Sequence, residues 1–176
     1  MSKATLVLGS AMLIVGFAAG TAFAKKNPTT PDLCVGKSAK DAAAALLTKA
    51  REYAGDGSWE NIAVARVYYL TGQKDEGERI LQATATKKND PSDWIRVGRV
   101  YYEAGEWAKA QKAFENVLKA KPNDADWAAE IGGYYLVKGD RERAEELFKR
   151  SLASDSENMR NNLKMAGAYL GLAPHE

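Results

Sequence analysis

The chain has 176 residues, 25 Lys and Arg against 23 Asp and Glu, a formal charge of +2, and a single Cys and a single His. That length suits one domain or one short repeat array with enough chain to bury a core. The two signs of charge are interspersed, which excludes the basic stripe of a nucleic-acid surface, and Lys25-Lys26 and Lys87-Lys88 are isolated pairs.

Residues 1–24 read as a secretory signal peptide. Lys3 supplies the positive start, Ala4 to Gly20 carry no charge, and Ala22-Phe23-Ala24 has the small-x-small form of a cleavage site. Cleavage after Ala24 is expected, giving an exported, periplasmic chain that starts at Lys25. The alternative is an uncleaved inner-membrane anchor, since residues 4–24 are about long enough to span a bilayer. Gly9, Gly16 and Gly20 weaken such a helix, and Lys25-Lys26 would lie on the outer side, against the positive-inside bias. Contact with the membrane is expected only in that alternative. Residues 25–37 read as a linker. Pro28 and Pro31 favour extended backbone there. Cys34 has no second cysteine for an internal disulfide and is expected as a partly buried thiol near the first helix, with an intermolecular disulfide as the other use.

From residue 38 the pattern is helical. Ser38 can cap a helix over 38–54, whose Ala43, Leu46, Leu47 and Ala50 form an apolar face; the segment 38–57 is the N-terminal helix of the domain. Beyond it the sequence repeats. Shifted by 34 residues, Gly98 falls on Gly132, Tyr101 on Tyr135, Gly105 on Gly139, Ala110 on Ala144, Phe114 on Phe148 and Leu118 on Leu152. Shifted back by 33, Tyr68-Tyr69 falls on Tyr101-Tyr102 and Gly72 on Gly105. A fixed period of this size marks a stacked repeat array. Units are expected at 58–90, 91–124 and 125–158, with a capping helix in 159–176.

Each unit reads as two helices. In the middle one, Trp94, Val97, Gly98, Tyr101 and Tyr102 fall at helical spacing, and Ala104-Gly105 stops the run because Gly accepts the left-handed conformation that ends a helix. Ala110, Ala113, Phe114, Val117 and Leu118 then share a face of the second helix. Gly98 and Ala110 mark a close approach of the two helices. In the closing helix, Arg160, Asn161, Asn162 and Lys164 suit a polar outer surface, and Gly167 and Gly171 weaken it.

The middle unit, Trp94-x2-Val97-Gly98-x2-Tyr101, then Ala110-x3-Phe114, then Pro122, resembles the tetratricopeptide repeat, whose pattern runs Trp-x2-Leu-Gly-x2-Tyr, Ala-x3-Phe, Pro. The third unit keeps Ile131-Gly132-x2-Tyr135 and Ala144-x3-Phe148; the first is more divergent, with Val64-Ala65-x2-Tyr68 and Gly77-x3-Leu81. The resemblance implies an all-α, right-handed α-solenoid of about three and a half helix-turn-helix repeats, with seven to eight helices and no strands. It also implies a concave groove along the first helices that takes a peptide or helix of a partner protein. The groove candidates are Trp59, Ile62, Arg66, Tyr69, Ile95, Arg99, Tyr102 and Leu136, with Ala129, Gly133, Leu163 and Leu170 beside them; Val64, Tyr68, Val97, Tyr101, Ile131 and Tyr135 are the buried counterparts. Arg66-Val67-Tyr68-Tyr69 recurs as Arg99-Val100-Tyr101-Tyr102. Either these arginines meet a partner's carboxylates, or they pair with the chain's own acids, such as Glu60, Asp93 or Glu103.

The chemistry of catalysis is missing from the inventory. His175 follows Pro174 at the end of the chain, so no Ser-His-Asp or Cys-His set can form, and one Cys with one His cannot build a zinc site. Gly55-Asp56-Gly57 lacks the Lys of a phosphate loop. The expectation is a non-catalytic adaptor in the cell envelope, with no cofactor, no metal and no nucleic acid, whose partner is another protein. The alternative is a structural subunit or membrane-anchored assembly factor of an envelope complex.

Overall fold

A computed structural model describes residues 30–174. The expected signal segment 1–24 and His175 lie outside the described residues. The described chain is all-α, in the order α1 (Thr30–Cys34), α2 (Ala39–Ala54), α3 (Ser58–Leu70), α4 (Lys74–Lys88), α5 (Pro91–Glu103), α6 (Trp107–Ala120), α7 (Ala125–Val137), α8 (Arg141–Ser154) and α9 (Met159–Tyr169). The helix beyond the expected eight is α1, which falls in the stretch read as an extended linker. Pro31 and Asp32 both fall in its first turn, where a proline lacks no needed donor and a carboxylate meets the positive end of the helix. Cys34 is exposed rather than partly buried.

Short polar side chains start α2, α5, α7 and α9. Ser38 accepts from the Asp41 amide at 3.2 Å, Asp90 from Ser92 at 2.8 Å, Asp124 from Trp127 at 3.0 Å and Asn158 from Asn161 at 3.1 Å, each satisfying an amide the helix leaves open. The first helices all end the same way. In α5 the Gly105 amide donates to the Tyr102 carbonyl and the Glu106 amide to Tyr101; α7 repeats this with Gly139 and Asp140, and α9 with Gly171 and Leu172. The closure needs a left-handed residue, and Gly105, Gly139 and Gly171 have φ of +76°, +88° and +82°.

The helices pack as α3 on α4, α5 on α6 and α7 on α8, and α9 packs on α7 as the first half of a further unit. A β-carbon added at Gly98 would stand 2.3 Å from the Phe114 ring, and one at Gly132 2.7 Å from the Phe148 ring. These glycines let the second helix drive its phenylalanine against the backbone of the first. Burial of each such ring is worth roughly 1.5–3 kcal/mol in transfer free energy. Between units, tyrosines of the first helices reach acids on the preceding second helices: Tyr101 donates to Glu78 at 2.9 Å, Tyr135 to Glu115 at 3.2 Å and Tyr169 to Glu145 at 3.3 Å. Alternating pairs joined in this register form an all-α helical repeat solenoid.

The array end departs from expectation. Asn161 is fully buried, with its Nδ2 donating to Asp126 at 2.8 Å, instead of lying on a polar outer surface. Met159, Leu163, Leu170 and Leu172 are exposed there.

Candidate functional site: the groove along the first helices

In the first turn of α3, Trp59 stands out from the surface, 57% exposed. The guanidinium of Arg96, from α5, lies over its ring with 3.6 Å between guanidinium carbon and ring centroid. That distance permits cation–π attraction, and it holds both side chains open at the surface. Two turns along α3 and one along α5 the pattern continues. Arg66 forks onto Glu103, with Nε donating to Oε2 at 2.6 Å and Nη2 to Oε1. Arg99 forks onto Glu130 of α7, with Nε donating to Oε1 at 2.8 Å and Nη2 to Oε2 at 3.0 Å. Lys164 of α9 also donates to Glu130, at 3.1 Å. A ladder of charge therefore ties α3 to α5, and α5 to α7 and α9.

The two forks differ in depth. Arg66 and Glu103 are each nearly half exposed, and the carboxylate of Glu103 raises the Arg66 guanidinium above its ordinary value. Glu130 is 3% exposed. Arg99 and Lys164 together compensate this buried carboxylate, and loss of either leaves it under-compensated, so Arg99 is first of all a structural residue. The reading in which the arginines pair with the chain's own acids holds for both of them. Glu103 was among the acids considered; Glu130, from the next unit, was not.

Trp59, Ile62, Arg66, Arg99 and Tyr102 come together with Arg96, Val100, Glu103 and Tyr134 around a cavity of about 500 Å³ between α3, α5 and α7. Ile62 is buried at its floor. The Tyr102 ring is 4.6 Å from the Tyr134 ring, which stacks on Phe114 at 5.0 Å and anchors the wall to the core. Burial raises the Tyr134 hydroxyl well above its ordinary value and keeps it protonated, and so a hydrogen-bond donor. A second cavity, of about 710 Å³, shares Arg99 and continues toward α9 between Trp127, Glu130, Leu163, Lys164 and Pro174.

Three groove candidates belong elsewhere. Tyr69 is 1% exposed and packs edge-on against Tyr101 at 5.6 Å, while Tyr68, read as the buried partner, is only half-buried. The exchange has a local cause: the Tyr69 hydroxyl donates to Glu106 at 2.6 Å, and Lys109 donates to it at 2.9 Å, which draws the ring inward. Burial and the Glu106 carboxylate push this hydroxyl up to about 12. Ile95 is a core residue, because on α5 it faces inward with Val97 and Tyr101. Leu136 is partly buried against the core. Among the wider candidates, Ala129 and Gly133 are buried, whereas Leu163 and Leu170 are exposed.

Arg96, Glu103, Glu130 and Tyr134 are groove residues that the repeat comparison alone passed over. Arg96 and Glu103 stand three before and four after Arg99, on the same helical face, so helical spacing could have found them. Nothing in the sequence marks Tyr134.

A search of curated proteins returned no match to the chain. Residues 97–158, from the middle of α5 to the cap of α9, match the sequence model of the tetratricopeptide repeat family, so the stretch from the second half of α5 through α8 is similar to tetratricopeptide repeats.

Proposed function

We propose that the chain is an adaptor of the cell envelope that holds an extended segment of another protein in the groove along α3, α5 and α7. Tetratricopeptide repeats generally mediate protein–protein interaction and are typically non-catalytic. The observation that carries the reading is the exposed Trp59 under the Arg96 guanidinium at the mouth of the 500 Å³ cavity, beside the open Arg66–Glu103 fork. Tryptophan and arginine are the side chains on which binding energy concentrates at protein interfaces. The lining joins the apolar surfaces of Trp59, Ile62 and Tyr102 to the exposed Arg66–Glu103 pair, so the segment it fits carries an apolar residue next to a polar or charged one.

The test begins with affinity capture from an envelope extract, followed by calorimetry with the purified partner. Trp59→Ala should weaken binding by about 2 kcal/mol or more, the size of an interface hot spot, without loss of helicity. Arg66→Ala should weaken it by about 1.5–3 kcal/mol at low salt, and less at high salt, because an open groove is screened. Parental affinity in both variants would remove the groove from the site.

A second reading has its own observation. Tyr169, Leu152 and Phe148 border a hollow of about 470 Å³ between α8 and α9, and Leu170 beside it is exposed. A structural subunit would dock there by its end, and Leu152→Asp would then abolish assembly while Trp59→Ala left it intact. As to compartment, export with cleavage after Ala24 rests on the signal pattern of residues 1–24. N-terminal sequencing should find Lys25 first; a start at Met1 or Ser2 would mean an uncleaved, anchored chain.

A further inference from the structure

The groove is open at its α3–α5 end, and at its α7–α9 end the chain itself occupies part of it, beside the 710 Å³ cavity that its last described residues help to line. The turn at Gly171 redirects the backbone, and Pro174, which follows it, is buried. Its ring lies over Gly133: a β-carbon there would stand 2.5 Å from Pro174 Cγ and 3.4 Å from Ala168 Cβ. Gly133 occupies the place that Arg66 and Arg99 hold in the earlier units, so a groove-facing side chain has been replaced by a cradle. The Tyr134 hydroxyl donates to the Pro174 carbonyl at 2.8 Å. The same Tyr134 lines the open cavity, so the occupied and open parts of the groove share a wall.

We infer that the α7–α9 end of the groove is a subsite for an extended, proline-bearing peptide, and that the segment after α9 occupies it in cis. Proline suits the cradle on three counts. It has no amide hydrogen to leave unsatisfied when buried. Its one remaining backbone group, the carbonyl, has a donor in Tyr134. Its φ is fixed, so little conformational freedom is lost on docking, as in other aromatic-lined grooves that take proline-rich segments. A partner segment that enters the cradle at Gly133 must therefore displace Pro174. The inference rests on the groove reading above and gives it a gate: the own tail competes with the partner for the last subsite.

The experiment uses isotope-labelled protein and a synthetic peptide with the sequence of Leu170–Glu176. A chain ending at Gly171, checked for helicity and melting, should bind the peptide in trans. Its Gly133 and Ala168 amide signals should move toward their full-chain positions as the peptide is raised to about 10 mM, the range of effective concentration a short tether supplies. The full chain should not respond. A peptide with alanine in place of the proline, or a Gly133→Ala change in the shortened chain, should weaken the response at least about fivefold. No movement of those signals would overturn the proposal. If the shortened chain does not fold, the full chain with Gly133→Ala decides: the added methyl should expel the tail and bring the Ala173 amide to its random-coil position, and an unchanged Ala173 signal would overturn the proposal. Arg66→Ala should leave peptide binding unaltered. Loss of the peptide response with Arg66-dependent partner binding intact therefore removes the subsite alone. A peptide response with no such partner binding removes the groove reading alone.

Discussion

At the scale of single residues, the fold depends on a few close contacts whose replacement has calculable cost. Phe114 and Phe148 are buried against Gly98 and Gly132, so Phe114→Ala and Phe148→Ala should each cost about 3–5 kcal/mol in denaturant unfolding, the usual range for a truncated core phenylalanine. Gly98→Leu should destabilise by overpacking, since even a methyl would stand inside the Phe114 ring; melting like the parent would refute that contact. Two carboxylates contribute to the acid sensitivity of the fold. Hydrogen bonds from Lys74, Tyr69 and Lys109 hold Glu106 down at about 2, and the fork of Arg79 with a single bond from Arg51 holds Glu76 down at about 2, against an ordinary 4.5. A depressed folded-state value means that the stabilisation is complete above 4.5 and is lost as pH falls toward 2. Stability should therefore decline across that window, and Glu106→Gln should flatten the decline; an unchanged pH profile would contradict the assignment. The glycines and phenylalanines were legible in the sequence because they recur at fixed spacing. The Tyr68–Tyr69 exchange was not, because it is decided by Glu106 and Lys109, residues of the next unit that no local pattern connects to Tyr69.

At the scale of the element, helix boundaries followed from local chemistry and were largely readable. Ser38 caps α2 as its sequence position suggests, and Gly105 ends α5 with positive φ. Asn158→Ala should cost about 1 kcal/mol, the usual worth of an N-cap, with fraying confined to α9 when followed by hydrogen exchange. Gly105→Ala should destabilise as well, because alanine is strained at φ of +76°, although open space surrounds the site. Helix α1 and the burial of Asn161 were less legible. A five-residue helix has too few positions for a periodic signal, and an asparagine reads as polar surface until a neighbouring unit supplies Asp126 to its amide.

At the scale of the whole molecule, repetition made the solenoid readable and left the groove half readable. Position in the repeat named Trp59, Ile62, Arg66, Arg99 and Tyr102, which the fold gathers around one cavity. The repeat could not distinguish the exposed Arg66–Glu103 fork from the buried Arg99–Glu130 pair, because burial depends on α9 and the segment after it closing over α7. The difference predicts unequal variants. Arg99→Ala should lower stability by about 2 kcal/mol or more, because it leaves the buried Glu130 with Lys164 as its one remaining cationic partner, whereas Arg66→Ala should cost roughly 1 kcal/mol or less. Equal melting of the two would contradict the burial argument. The central claim, that the partner lies along the first helices, is tested most directly by amide hydrogen exchange of the full chain with and without its captured partner. Protection should rise in 58–66 and 95–103, on the helices that carry Trp59, Arg66, Arg96 and Tyr102. Protection confined to the outer faces of α4, α6 and α8, with α3 and α5 unchanged, would contradict it.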